Sequence, residues 1–208
     1  MPNAPKKISE LLESRTAYAY ALNKALDIFV SYTEESIDDV MSKGLWPVAD
    51  TACLDRIIVF RILGLQSNTA GEIYRWDKAH GGTAPVDPAL KVVPVTAALK
   101  RWISVMTDNT CISLRRSEFT EDEAAFLSPR GVQSILIVPV FTEGELWGVV
   151  TFHDNTSERD FDEDCTGLLR SAARLCASAI IREDMQREIT KAEVLKQTRE
   201  ADERTKII

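Results

Sequence analysis

Two strand-sized apolar runs lie almost end to end in the second half of the chain. Residues 133–141 (QSILIVPVF) and 145–153 (ELWGVVTFH) are separated only by Thr142-Glu143-Gly144. Both are rich in β-branched residues. So short a link joins only antiparallel neighbours, because a parallel crossover needs a dozen residues or more. Gly144 supplies the positive φ that a tight hairpin turn requires. An antiparallel sheet is therefore written into the chain. Pro139, which has no N–H to give, places its part of the first run at an edge or a bulge. Gly148 marks a close approach to the second run, expected from a packed helix.

Both ends of the chain switch to helical period. Ile8, Leu11, Leu12, Tyr18, Leu22, Leu26, Phe29 and Val30 form one apolar stripe with no proline or glycine between them. A second helix is expected over 34–43, with Thr33 as N-cap, acids in its first turn and Gly44 as its stop. Pro47 then reads as a bend, with room for a further short helical stretch before Asp55. From Phe161 the helix period returns, with Asp162 as N-cap and Glu163 and Asp164 in the first turn. Leu168, Ala172, Leu175 and Ala179 form a seam that continues, with a slip in register, into Ile181, Met185 and Ile189. About half of the residues after Arg182 are charged. A helix that polar has no core of its own and reads as a coiled-coil arm or solvated linker. The last residues, Lys206-Ile207-Ile208, carry no helix stop, as expected of a fragment with a further domain downstream. The expected divisions are a helical arm over 1–28, a domain over 29–181 and a charged linker helix over 182–208.

Between these helices, strands are expected over 56–63 (RIIVFRIL), 72–77 and 110–115. The loop KAHGGTAPVDPALKVVP breaks both periods. A short helix carrying Trp102 is expected over 96–106. Thr120 and Glu123 form a capping box for another, which ends near Leu127 ahead of Pro129 and Gly131. Strands do not alternate with helices of equal length, so a doubly wound parallel sheet is excluded. The expected class is α+β, with an antiparallel sheet, long helices on one face and short helices and loops on the other.

Composition removes several functions. The chain of 208 residues has 25 basic and 32 acidic side chains, a net charge of −7. It lacks the basic footprint that nucleic acid or an anionic membrane surface demands. No apolar run approaches the roughly 18 residues of a membrane span, and the N-terminus has no signal-peptide core. Cys53, Cys111, Cys165 and Cys176 are widely spaced, without C-x-x-C, and read as reduced thiols of a cytoplasmic protein. His80 and His153 have no partners at metal-ligand spacing; each reads as a surface or half-buried side chain. No nucleophile-elbow, phosphate-loop or dinucleotide-binding motif occurs. Glu121, Asp122 and Glu123 read as helix-dipole acids. Arg115, Arg116 and Arg130 either clamp a carboxylate or phosphate or lie on the surface. Trp76, Trp102 and Trp147 either form an aromatic pocket or belong to the core.

The stretches GVQSILIVPVFTEGELWGVVTFHD and SERDFDEDCTGLLRSAARLCASAI, together with LDRIIVFRI and ALKRWISVM, resemble the GAF domain pattern over about 29–182. That resemblance implies a central antiparallel sheet of five or six strands, with the terminal helices on one face and a ligand cavity on the other. It implies a non-catalytic sensory domain of a signalling protein, of the kind found in sensor histidine kinases of two-component systems. The ligand is left open, since members bind cyclic nucleotides, linear tetrapyrroles, haem, iron or small acids. The cyclic-nucleotide signature is not met: Asn23-Lys24 falls on the first helix, and the spacing from Phe119 to Glu123 is wrong. None of the four cysteines is followed by the histidine usual in tetrapyrrole binders. No metal, haem or covalent tetrapyrrole is therefore expected. The cavity is expected beneath residues 92–130, near Trp102, Phe126 and Arg130, with Arg115 and Trp76 as further candidates and a small anion as the ligand. A parallel homodimer is expected through the terminal helices, along Leu168, Ala172, Leu175, Ala179, Met185 and Ile189. The tail resembles the linker that leads into a PAS or histidine kinase domain. Two alternatives stay open: an enzyme on this fold of the free methionine sulfoxide reductase type, and a domain that only spaces and dimerises.

Overall fold

The computed structural model describes residues 4–32, 35–64, 69–94 and 97–205. Its order is α1 (Ala4–Ser31), α2 (Ile37–Thr51), β1 (Arg56–Gly64), β2 (Thr69–Asp77), β3 (Gly82–Thr83), β4 (Val93–Pro94), α3 (Ala97–Met106), β5 (Ile112–Arg115), α4 (Glu121–Leu127), β6 (Ser134–Thr142), β7 (Glu145–Asp154) and α5 (Glu163–Thr205). The sheet runs β3-β2-β1-β7-β6-β5, antiparallel throughout, with β4 also paired to β2. Five strands match the sequence expectation. The two-residue strands β3 and β4 come from the glycine- and proline-rich loop.

The hairpin turn between β6 and β7 is tighter than three residues. Thr142 pairs with Glu145, leaving Glu143 at φ 54° and Gly144 at φ 85°. Two positive φ values in a two-residue turn match the right-handed strand twist. Pro139 lies inside β6, yet β5 pairs only with residues 134–137, so one flank of Pro139 faces no strand. The β6–β7 register shifts immediately beyond it, between Val140 and Phe141.

Strand alternation divides the apolar residues between two cores. Ile57 and Val59 of β1, Leu136 and Val138 of β6, and Val150 and Phe152 of β7 face α1, α2 and the first part of α5. Ile135 and Ile137 face the opposite way, against Trp102, Met106 and Leu127. On β2 a bulge changes the side. Val59 pairs with Tyr74 but Phe60 with Glu72, so Ile73 is the extra residue. Trp76 and Tyr74, paired with Ile57 and Val59 ahead of the bulge, point to the helical layer, and Ala70 beyond it points to the other side.

Several expectations are corrected here. The helix α2 does not stop at Gly44 or bend away at Pro47 but continues to Thr51. Gly44 is a packing residue: a Cβ there would lie 2.7 Å from the ring of Phe29 on α1. Pro47 forfeits an intrahelical bond, and burial of Leu45, Val48 and Ala49 offsets that loss. The cap is Ser36, whose hydroxyl accepts the Asp39 N–H at 3.2 Å; Thr33 lies outside the described residues. The helix expected from 96 begins at Ala97, with Thr96 likewise outside. Gly148 makes room for a strand, not a helix, because a Cβ there would meet the Phe60 carbonyl oxygen of β1 at 2.2 Å. Position 28 is not a break in the core, since Ala21, Ala25 and Phe29 of α1 are all buried.

The seam on α5 is also corrected. Leu168, Ala172 and Ala179 are buried in the helical layer of their own domain, and Leu175 is half-buried against it. Their sevenfold spacing records the face that α5 lays on α1, α2 and the sheet, so they are not free to meet a second chain. Met185 and Ile189 remain exposed. Asp162 caps α5 as expected, accepting the Cys165 N–H at 2.7 Å. The residues Lys206, Ile207 and Ile208 fall outside the described residues.

Candidate functional site

On the face away from the long helices, the sheet and its short helices enclose a cavity of about 50 Å³. Its floor follows from strand alternation: Ile58, Phe60 and Ile62 from β1, Ile135 and Ile137 from β6, and Val149, Thr151 and His153 from β7. Ala70 of β2 joins them because the bulge at Ile73 has turned it to this side. The roof is α3, through Leu99, Trp102, Ile103 and Met106, and the end of α4, through Phe126, Leu127 and Arg130.

Glu123 fastens the roof together. Its capping box with Thr120 is present, and its carboxylate also accepts the Trp102 indole N–H at 2.6 Å and pairs with Arg101. The side chain is fully buried. Burial alone would raise its pKa, but the Thr120 amide, Arg101 and Trp102 together hold it below the usual carboxylate range. One acid thus caps α4 and locks α3 against it. The sequence reading found the cap but not the cross-link, because Trp102 lies 21 residues away.

The polar end of the floor is built on His153, which is buried. Its Nε2 lies 2.9 Å from the Thr151 hydroxyl, while Nδ1 is buried without a partner. Burial, reinforced by the charges of Arg56, Arg75 and Arg130, pushes its pKa down to about 3. Arg56, its cross-strand neighbour, pairs with Asp77 at 2.8 Å. Arg75 makes two bonds to Glu72, at 2.6 and 2.8 Å. Arg130 differs from both. Its guanidinium lies over the Phe126 ring at 4.5 Å and donates to the Phe126 carbonyl, but it has no carboxylate partner among the described residues. Its Nε is also buried without a partner.

Three of the five sequence candidates come together: Trp102, Phe126 and Arg130 all line the cavity. The other two do not. Arg115 is at the sheet edge, bonded to Glu118 at 2.8 Å and Asp160 at 3.3 Å. Trp76 is on the opposite face, edge-on to Trp46 with centroids 5.8 Å apart. Trp147 packs against the helical core with Arg61 over its ring. Sequence reasoning missed His153 and Thr151. The signal was available, because alternation through Val149, Thr151 and His153 carries one face of β7 to the strand's end.

No cysteine is among the residues lining the cavity. Cys165 and Cys176 are buried in the helical layer, Cys53 is exposed, and Cys111 lies 3.2 Å from a guanidinium nitrogen of Arg170. Among the described residues no group of three or more His, Cys, Asp or Glu is placed to hold a metal ion, and no helix is long and apolar enough to cross a membrane.

Two polar contacts tie the cavity walls to α5. Arg61, between Phe60 and Ile62 on β1, points to the helical side and pairs with Asp184 at 2.8 Å. Arg170 reaches the Asn109 carbonyl at 3.3 Å, in the loop that leaves α3.

The model of the GAF domain family matches residues 36–180. A methanogenesis regulatory histidine kinase, FilI, of Methanothrix harundinacea (strain 6Ac) is 26% identical over 191 residues, covering 89% of this chain. The chain spans only 20% of that relative's length. Among solved structures, the red/green cyanobacteriochrome NpR6012g4 superposes with a TM-score of 0.60 at 20% identity, over 73% of this chain and 98% of that one. The chromophore-binding domain of Stigmatella aurantiaca bacteriophytochrome gives 0.60 at 13% identity, over 80% and 60%. The GAF domain of an Acinetobacter phosphoenolpyruvate-protein phosphotransferase gives 0.54 at 14%, over 80% and 94%.

Proposed function

The chain belongs to the GAF domain family, and from that premise we propose that it is a non-catalytic sensory domain of a signalling protein. A small molecule binds in the cavity under α3 and α4, and the response leaves through α5. The observation that carries this reading is the alternation on β1. Phe60 and Ile62 line the cavity while Arg61, between them, holds Asp184 on α5. A ligand that shifts this strand shifts the anchor of the exit helix. The relative FilI, a histidine kinase, supports a kinase or other signalling domain downstream. The acidic composition and the absence of a membrane-spanning helix among the described residues support a cytoplasmic setting.

The domain works as a homodimer, joined in parallel through α1 and the exposed part of α5. Leu12, Leu26 and Val30 on α1, and Met185, Ile189 and Leu195 on α5, are large apolar side chains left exposed. Each is about half exposed, so a partner helix that covers it gains about half of the ~1.5–3 kcal/mol of a full burial. A covalently held tetrapyrrole is not supported, since no thiol lines the cavity. The same observation weighs against a reductase working through a cavity cysteine.

The test is a metabolite screen read by amide chemical shifts. Hits should perturb α3, β7 and β1 and carry through to residues near Asp184. Hits confined to α1 and the exposed end of α5 would sink the reading. Thiol trapping in the presence of methionine sulfoxide should show no consumption of protein thiols.

A further inference from the structure

The outward face of α1 carries a period of its own, apart from the one that packs the helix on the domain. Leu12, Thr16, Ala19, Asn23, Leu26 and Val30 are all exposed. At 100° per residue they fall within about 80° of one another, while the buried side chains Ala21, Ala25 and Phe29 lie on the far side of the helix. The spacing alternates between four and three, which is the repeat of a two-stranded coiled coil. Thr16, Asn23 and Val30 take its a positions, and Leu12, Ala19 and Leu26 its d positions. β-Branched residues at a with leucine at d favour two parallel strands.

Orientation follows from Asn23. Two copies laid parallel and in register bring Asn23 to Asn23, where each amide donates an N–H to the carbonyl oxygen of the other. Laid antiparallel over the same six positions, Leu12 faces Val30, Thr16 faces Leu26 and Asn23 faces Ala19. Alanine offers the amide no side-chain partner, and a covered amide left unpaired is costly. The antiparallel arrangement also brings the exposed acids Glu13 and Asp27 of opposite copies together, whereas the parallel one sets Asp27 beside Leu22.

The exit helix asks for the same orientation. Helices α1 and α5 run side by side in one direction: Arg15 pairs with Asp164 at 2.7 Å, and farther along Arg182 donates to the Phe29 carbonyl. The α1 face ends at Val30, and the exposed residues Met185 and Ile189 of α5 begin within about one turn of that point. A parallel pairing of α1 keeps the two exit helices together, so that Met185 and Ile189 continue the contact. An antiparallel pairing sends them to opposite ends.

We propose, resting on the homodimer reading above, that α1 joins α1 of a second copy as a parallel, in-register two-stranded coiled coil, and that Asn23 sets the register. The amide pair costs affinity. In return it excludes the antiparallel and shifted arrangements that a wholly apolar seam tolerates.

The experiment uses the full chain with one added cysteine, Thr16→Cys or Leu26→Cys, oxidised and run on non-reducing gels. The native chain, run beside them, sets the background from its own thiols, and circular dichroism establishes that each variant is folded. In the proposed register each variant links to itself, and the two co-expressed link about half as well, because mixed dimers place the cysteines apart. Asn23→Val, followed by sedimentation over a concentration series, should dimerise at least about tenfold more tightly than the native chain. Introduced into both cysteine variants, it should raise the linking of the co-expressed pair. Linking confined to the co-expressed pair, or an Asn23→Val chain that dimerises no more tightly, overturns the assignment. If no variant links while the native chain sediments as a dimer, the α1 coiled coil falls and the homodimer reading stands on α5 alone. A monomeric native chain removes both.

Discussion

Lowering the pH from 7 to 5 should destabilise this domain through one side chain. His153 is neutral in the fold down to about pH 3, because burial and three nearby guanidinium groups oppose its protonation. In the unfolded chain it takes a proton below its ordinary value of 6.5. The unfolded state therefore binds more protons throughout the window from 6.5 down to about 3. The contribution of His153 to stability is complete above pH 6.5 and is lost progressively as the pH falls. Each pH unit is worth about 1.4 kcal/mol, so the loss at pH 5 is about 2 kcal/mol. Glu118, Glu123 and Asp154, whose pKa values are held below the carboxylate range, add their own losses only below about pH 4.5. The window from 7 to 5 therefore isolates the histidine. The assay is urea unfolding at half-unit pH steps, on the native chain and on His153→Leu, which has similar bulk and no titration. The native chain should lose about 2 kcal/mol across the window while the variant loses little. Equal slopes for the two proteins would refute the argument that His153 is buried and neutral.

Other perturbations reach different parts of the construction. Gly148→Ala drives a Cβ into the Phe60 carbonyl of the neighbouring strand; urea unfolding should show a loss of about 1–3 kcal/mol or more, since backbone cannot step aside. Glu123→Ala removes the α4 cap and orphans the buried Trp102 indole N–H, for a loss of about 2–4 kcal/mol; Trp102 fluorescence should shift as the roof loosens. Met185→Glu combined with Ile189→Glu should turn a sedimenting dimer into a monomer whose circular dichroism stays that of the folded domain, since both residues are exposed; a mass unaffected by the change removes α5 from the interface.

The sheet was legible in the sequence because its signals are local. A tight turn after a β-branched run, and a return of helical period at Phe161, each lie within a few residues. The α2 reading failed for the opposite reason. Gly44 and Pro47 are stop signals by local rules, and only the ring of Phe29, from another helix, turns Gly44 into a packing residue. The seam on α5 failed similarly, since a sevenfold apolar spacing looks the same whether its partner is another chain or the sheet beneath it. At the site, Trp102, Phe126 and Arg130 line one cavity because the irregular segment that carries them covers the sheet, the place to which the GAF resemblance also pointed. Trp76 and Ala70 lie on opposite faces despite their even spacing because of a one-residue bulge at Ile73 that no local pattern announces.

The corrected seam changes what α5 can do. Its buried face ends near Ala179, where core packing fixes its rotation, and its exposed apolar residues begin at Met185. Arg61–Asp184 and the bond from Arg182 to the Phe29 carbonyl fall in the short interval between. The first half of the helix therefore belongs to the domain core and the second half to whatever covers Met185 and Ile189, with two polar contacts at the junction. These contacts are partly exposed, so each contributes little to stability and is readily remade in a shifted position. On the proposed sensory reading, a ligand that rotates β1 would act through this junction, because the core on one side resists deformation. Arg61→Ala should thus leave unfolding within about 1 kcal/mol of the native chain yet uncouple amide shifts beyond Asp184 from any ligand that binds under α3. If those shifts survive the substitution, the signal leaves by way of Arg170 and the Asn109 loop instead.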